Sequence, residues 1–496
     1  MKMKNPSTPA APPDISIQNI QKLLGNSGDI VARQTYVGVQ DDIPVGILFI
    51  DGLVNGKNID DNILKPLTQE QVFKQATTQT QVLNSAFKGE IYHYSVKMVT
   101  DITQCITEVL EGAAALIFEE EKTALVFSVK GFEKRSITEP SGENIVKGAK
   151  DSLVENIRVN TATIRTKIKN QNLRFVQKTV GKQTQTAVSI VYLEGVLNPA
   201  ILAEVEKRID AINHDGVVGA SSIEEYLVDK KMSLFPQVDF TERADKLCAN
   251  IIEGYAGVLI DGMPFAYIAP ATLPSIMQAP EDYALNYLFA SVIRIMRYIS
   301  LLLTLILPAY YVAISTFHME MIPSSLAIAI INSKQEVPFP PFIEVLFMLF
   351  AFELLIEAGV RMPKTFGQAV SIVGAIVVGQ AAVSAKFLSP AVIVVISLVG
   401  IAGFAIPNYD MSNTVRVLRF LLILCAAIAG LVGMTLGIIA IIFYVATLKT
   451  FGVAYLSPLV GTDGHNIYKD TIIRIPLAKM KVRPGYLKPE NAKRRD

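Results

Sequence analysis

The chain has 496 residues, 51% of them hydrophobic, and 46 basic against 45 acidic side chains leave a net charge of +1. That balance excludes a strongly basic nucleic-acid-binding chain. The three cysteines and four histidines are scattered, so neither a disulfide framework nor a zinc spacing is present, and no cofactor or metal is expected.

Residues 1–29 begin MKMKNPSTPAAPPD, with no apolar signal-peptide core, and read as a disordered lead-in. Two stretches then repeat. Residues 45–55 (VGILFIDGLVN) match 188–198 (VSIVYLEGVLN), and residues 111–118 (EGAAALIF) match 253–260 (EGYAGVLI), at offsets of 143 and 142. Two matches at nearly one period predict a duplicated α/β head. Its subdomains are 30–135 and 188–279, joined by a charged connector, 136–187. Helices are predicted at 81–85, 102–111 and 199–212, the last with proline near its start. Each copy should end in a hairpin, the second turning at Asp261-Gly262-Met263-Pro264. Asp51 and Glu194 end matching strands, where catalytic carboxylates could stand, but Asp-Gly and Glu-Gly suffice as turns. There is no phosphate loop or nucleophile elbow, so no enzyme is expected.

Residues 280–448 change character. Apolar runs at 298–316, 369–385, 388–406 and 421–448 approach or exceed the roughly 20 residues that cross a bilayer. A helical membrane domain of four to five transmembrane helices is predicted, followed by a basic tail, 449–496. The run 342–360 carries Glu344, Glu353 and Glu357, which are costly against lipid, so it is expected to lie in the interface or to be buried in an assembly, and not to span. Four spans then place Arg294, Arg297 and the tail on one side, as the positive-inside rule asks. Arg294 and Arg297 read as snorkelling anchors.

The segment 365–386 is the candidate pore helix. Ser371, Ala375, Gly379 and Ala382 form a small-residue face for helix packing. Val373, Val377, Gln380 and Ser384 form the opposite face, where valines could gate by dewetting. A packed core helix with Gln380 bonded to a neighbour explains the same pattern. A different class of function, secondary transport, would use Glu353 and Glu357 for ion coupling, although no inverted repeat is evident.

A family likeness runs from about residue 30 to 485. Arg135, Glu139-Pro140, Gly148, Asp151, Glu155, Asn160 and Arg165 resemble a segment of the bacterial spore germinant receptor A-subunit (GerA) family. So do Phe235-Pro236-Gln237, Thr241-Glu242-Arg243-Ala244-Asp245, Pro280-Glu281-Asp282-Tyr283, LPAYYVAISTFHMEMIPSSL and FELLIEAGVRMPK. Ala244 departs from the family's usual proline. The resemblance implies an oligomeric, ion-conducting subunit in the inner membrane of a spore, its head cytoplasmic. It implies as partners a nutrient-sensing, transporter-like B subunit, a lipoprotein C subunit and membrane lipids, and no nucleic acid. Glu139, Asn160, Arg165, Glu242, Arg243, Glu281 and Asp282, with Glu353 and Glu357, become candidates for intersubunit or coupling roles.

Overall fold

The computed structural model describes residues 13–494 except 26, 41, 94, 132–141, 144, 146, 362–378 and 461–469. The chain divides into two compact units. One, the head, takes in the chain up to Asp229, Val238–Pro270 and Lys481 onward; the other, the helical unit, takes in Lys230–Gln237 and Ala271–Met480.

The head is built twice. Its first sheet contains β1 (Ile30–Val37), β2 (Ile43–Ile50), β3 (Val96–Val99), β4 (Ala114–Phe118) and β5 (Thr123–Phe127), in the order β1-β2-β4-β5-β3. Its second contains β6 (Leu173–Val180), β7 (Thr186–Leu193), β8 (Asp239–Thr241), β9 (Ala256–Ile260) and β10 (Ala266–Ala269), in the order β6-β7-β9-β10-β8. Every pairing in both is antiparallel. The two orders are the same element for element, and β1 and β6 start 143 residues apart, at Ile30 and Leu173.

Side chains alternate across each strand, so both sheet faces must be covered. On the first sheet, Val45 and Ile47 join one core with Ile59, Ile63, Leu67, Phe73 and Val82. Leu48 and Ile50 join another with Ile20, Leu24, Ile106 and Val109. Helix Ile17–Leu24, capped by the Ser16 hydroxyl, supplies part of that second layer. It lies within the stretch expected to be disordered. Gly46 explains its seat: a Cβ there would meet Ile17 at 2.5 Å.

The second copy also begins earlier than expected. Strand β6 falls in the predicted connector, yet it pairs with β7 in the second sheet, and helix Ile157–Lys167 leads into it. The spacing of Leu153, Ile157, Ile164 and Ile168 predicts a helix in this stretch, and its buried face also includes Asn160 and Arg165. The Asp-Gly and Glu-Gly pairs are turns, with Gly52 and Gly195 at φ +84° and +75°, the region open to glycine.

In the helical unit, Tyr287–Thr316 and Tyr409–Thr447 are the described helices long and apolar enough to cross a membrane, and Pro390–Phe404 is a shorter apolar helix. The 39-residue segment Tyr409–Thr447 breaks at Ala429 and Gly430. Gly433 packs on the Cys425 carbonyl and Gly437 on Leu422, so the segment doubles back as two antiparallel arms. Glycine at these positions lets the arms close on each other.

Helix Pro341–Arg361 runs alongside its neighbours. Glu344 meets Ser389 at one end and Phe352 meets Gly400 further along, which makes it parallel to Pro390–Phe404. Two of its three carboxylates, Glu344 and Glu353, meet other stretches of the unit.

Candidate functional site

Two buried charge networks stand out in the helical unit. The first joins the start of Tyr287–Thr316 to chain beyond the last helix. Asp282 accepts from Arg294 Nε at 2.6 Å and Arg297 Nη1 at 2.8 Å, and Asp470 accepts from Arg294 Nη1 at 3.0 Å. Arg294, Arg297 and Asp282 are all buried. The Tyr283 hydroxyl donates to Asp470 at 2.7 Å, and the Arg294 and Arg474 guanidiniums lie 5.4 and 5.5 Å from its ring centre. Ser291 Oγ donates to the Arg474 carbonyl at 3.1 Å. Arg294 and Arg297 are thus paired internal charges, not snorkelling anchors. The network also brings the two ends of the helical unit to one place.

The second network pairs Glu353 with Arg419 and, at 3.7 Å, with Arg416. Glu357 is exposed and pairs with Arg361 four residues on, at 2.6 Å. A buried or half-buried carboxylate held by arginine is a structural joint that breaks at considerable cost if one partner is lost.

The head has its own buried charges. Arg165 donates to Asp29 through Nε at 2.9 Å and Nη2 at 2.8 Å. Ser27 Oγ donates to Asp29 at 2.6 Å and accepts from the Phe175 N–H at 3.1 Å. Burial draws the Arg165 guanidinium below its ordinary pKa, and Asp29 opposes that shift. This latch joins the segment before β1 to β6, and so one subdomain to the other. Asn160 bonds the Val154 N–H and carbonyl at 2.8 and 2.6 Å. Arg243 bonds Asp245 at 2.7 Å and the Ala149 carbonyl at 2.6 Å. Lys246 bridges Asp239 and Glu143 at 2.9 and 3.1 Å; burial lowers its pKa, but the two carboxylates outweigh it and the net shift is upward.

Of the predicted positions, Asn160, Arg165, Arg243 and Asp282 therefore make buried bonds within the chain. Glu242 is half-buried and accepts from the Gly142 N–H at 3.3 Å, and Glu281 opens the short helix Glu281–Ala284. Gln380 and Ser384 are exposed and Ala382 half-buried on helix Gly379–Ser384. Ser371, Val373, Ala375, Val377 and Glu139 lie outside the described residues. Among the described residues no group of three His, Cys, Asp or Glu could hold a metal.

Sequence reading missed Asp29 and Asp470, the counter-ions that explain Arg165 and Arg294. It also missed a signal of the duplication: Cys105 and Cys248, 143 residues apart, sit buried in the matching helices Ile102–Leu110 and Ala244–Glu253. Burial pushes both thiols up to about 12.

A family model described as Bacillus/Clostridium GerA spore germination protein matches residues 18–486. The chain belongs to the GerA family of spore germination proteins. This GerA chain is 36% identical to the uncharacterized membrane protein YfkQ of Bacillus subtilis (strain 168), over 95% of its own length and 90% of that protein's. It is 35% identical to spore germination protein KA of the same strain, over 96% and 87%, and 33% identical to spore germination protein GerLA of Bacillus cereus, over 96% of each. A crystal structure of the N-terminal domain of the A subunit of the Bacillus megaterium spore germinant receptor GerK3 covers 52% of this chain and 94% of that one, at 25% identity and a TM-score of 0.41.

Proposed function

We propose that this GerA-family chain is the A subunit of a nutrient-responsive germination receptor, and that copies of it assemble into a ligand-gated ion channel. Its partners are a transporter-like B subunit that senses the nutrient and a lipoprotein C subunit. Its place is the inner membrane of the spore, with the head cytoplasmic.

The supporting observation is the exposure of Gln380 and Ser384 in an apolar part of the chain. Polar side chains at membrane depth require water or a partner. A water-filled axis shared between copies supplies both. The meeting of residues 282–297 with Asp470 and Arg474 favours an even number of crossings, so that head and tail emerge on one side. The pairing of Glu353 with Arg416 and Arg419 weighs against the transporter alternative, because a proton-coupling carboxylate must be free to discharge.

Reconstitution tests the reading. Liposomes carrying this chain with its B and C partners should release a monovalent cation when nutrient is added. Vesicles that stay tight under those conditions contradict the channel.

A further inference from the structure

Tyr311, Lys334, Glu344 and Ser389 converge from four separate stretches of the helical unit. Glu344 and Ser389 are fully buried and Tyr311 is 5% exposed. One Glu344 oxygen accepts from the Ser389 backbone N–H at 2.7 Å, at the start of helix Pro390–Phe404. The other lies 3.8 Å from Lys334 Nζ, beyond hydrogen-bond reach. The Lys334 ammonium sits over the Tyr311 ring, 5.3 Å from its centre, and Tyr311 lies beside Ser389.

Four atoms of this cluster, Tyr311 Oη, Lys334 Nζ, Glu344 Oε1 and Ser389 Oγ, lack a well-formed hydrogen bond among the described residues, the two hydroxyls lying close to each other. A single buried polar group left unsatisfied costs about 1–3 kcal/mol, more if charged. Four in one place, two of them on a charged pair, mark a site rather than a packing fault. The surroundings are apolar: Val345, Leu349 and Val392 are buried in the same core.

The chemistry of the four atoms selects the occupant. It must accept from Lys334 and donate to Glu344, and it must be small enough to serve groups 3.8 Å apart. An alkali cation would be repelled by Lys334, and an anion by Glu344. Water meets every requirement, since a buried water takes about three hydrogen bonds from otherwise unsatisfied groups. We infer that Tyr311, Lys334, Glu344 and Ser389 form an internal hydration site, where ordered water joins four stretches of the helical unit. Water bridging keeps Lys334 and Glu344 both charged without direct contact. It also makes this joint exchangeable, unlike the apolar contacts around it.

Radiolytic hydroxyl-radical footprinting of the full chain in nanodiscs tests this, because buried water generates radical where it is bound. Tyr311 should be oxidised several-fold faster than Tyr455, a fully buried tyrosine of the same core. Combining Lys334→Met with Glu344→Leu removes both charges and should bring Tyr311 down to the Tyr455 rate. Equal rates in the unmodified chain would overturn the site, as would a fast Tyr311 that the double substitution leaves unchanged. A Tyr311 rate that responds to exchanging potassium for choline would identify a cation as the occupant and also overturn it.

Discussion

The two halves of the head share one topology but close it with different pieces of chain. In the first, the chain leaving β5 turns back at once. Asn55 N–H donates to the Val129 carbonyl at 3.1 Å and Gly131 N–H to Leu53 at 3.3 Å, and Lys130 lies against Gly112. In the second, the chain leaving β10 departs for the helical unit. Residues near the far end of the protein take the vacated edge. Glu490 N–H donates to the Val196 carbonyl at 3.1 Å, Asn198 Nδ2 donates to Leu487 at 3.2 Å, and Pro489 lies beside Gly254. The Tyr486 and Tyr255 hydroxyls are 2.6 Å apart, and Arg494 pairs with Glu253 at 2.5 Å.

The chain passes between head and helical unit after Asp229, Gln237, Pro270 and Met480, and the head residue at each passage belongs to the second subdomain or to the tail packed on it. None of these passages leaves from the first subdomain. The latch of Asp29 and Arg165 joins the first copy to the second.

The largest expected effect comes from cutting that latch. Arg165→Met leaves Asp29 buried and unpaired, which should cost about 3–5 kcal/mol. Adding Asp29→Asn should recover part of it, and denaturant unfolding followed by tyrosine fluorescence measures both. If Arg165→Met is harmless, the subdomains are not joined there.

Removing residues 481–496 should cost about 3 kcal/mol, from the burial of Leu487 and the lost hydrogen bonds. The loss should be confined to the second copy. Hydrogen exchange should quicken in β7 and β9 and leave β2 and β4 unchanged; equal quickening in both would erase the asymmetry. Gly46→Ala acts on the first copy alone. Overpacking against Ile17 should cost about 1–3 kcal/mol and speed exchange in β1 and β2.

The smallest effect depends on pH. Burial raises the Glu224 carboxyl above its usual pKa, and a hydrogen bond from the Tyr267 hydroxyl at 3.2 Å partly offsets the shift. A raised value means that the folded head holds this proton more tightly than the unfolded chain. Its contribution is full below the usual carboxyl range and is lost as pH rises through the raised value. Glu224→Gln should therefore stabilise the head at neutral pH and change little at pH 4. Thermal melts at the two pH values measure this, and a loss of stability at neutral pH would contradict it.

Much of this architecture is legible in the sequence where pattern and physics coincide. The strand-turn pairs at 45–55 and 188–198 reveal the duplication because apolar strands and a turn glycine are locally determined. Helix Ile157–Lys167 is legible in the spacing of Leu153, Ile157, Ile164 and Ile168, but its place in the second copy is not, because Arg165, polar by type, is buried on a bond to distant Asp29. Arg294 and Arg297 mislead for the same reason: Asp282 and Asp470 neutralise them from outside their helix. Gly430 announces a bend, but only contacts such as Gly437 on Leu422 reveal that the chain reverses there.

Cysteine scanning at Gln380 and Ser384 in the assembled receptor tests the proposed pore directly. Gln380→Cys and Ser384→Cys should react with a small, charged, water-soluble thiol reagent, and the reaction should reduce nutrient-triggered ion release. Both positions staying unreactive, or reacting with no effect on release, would contradict a water-filled axis lined by these residues.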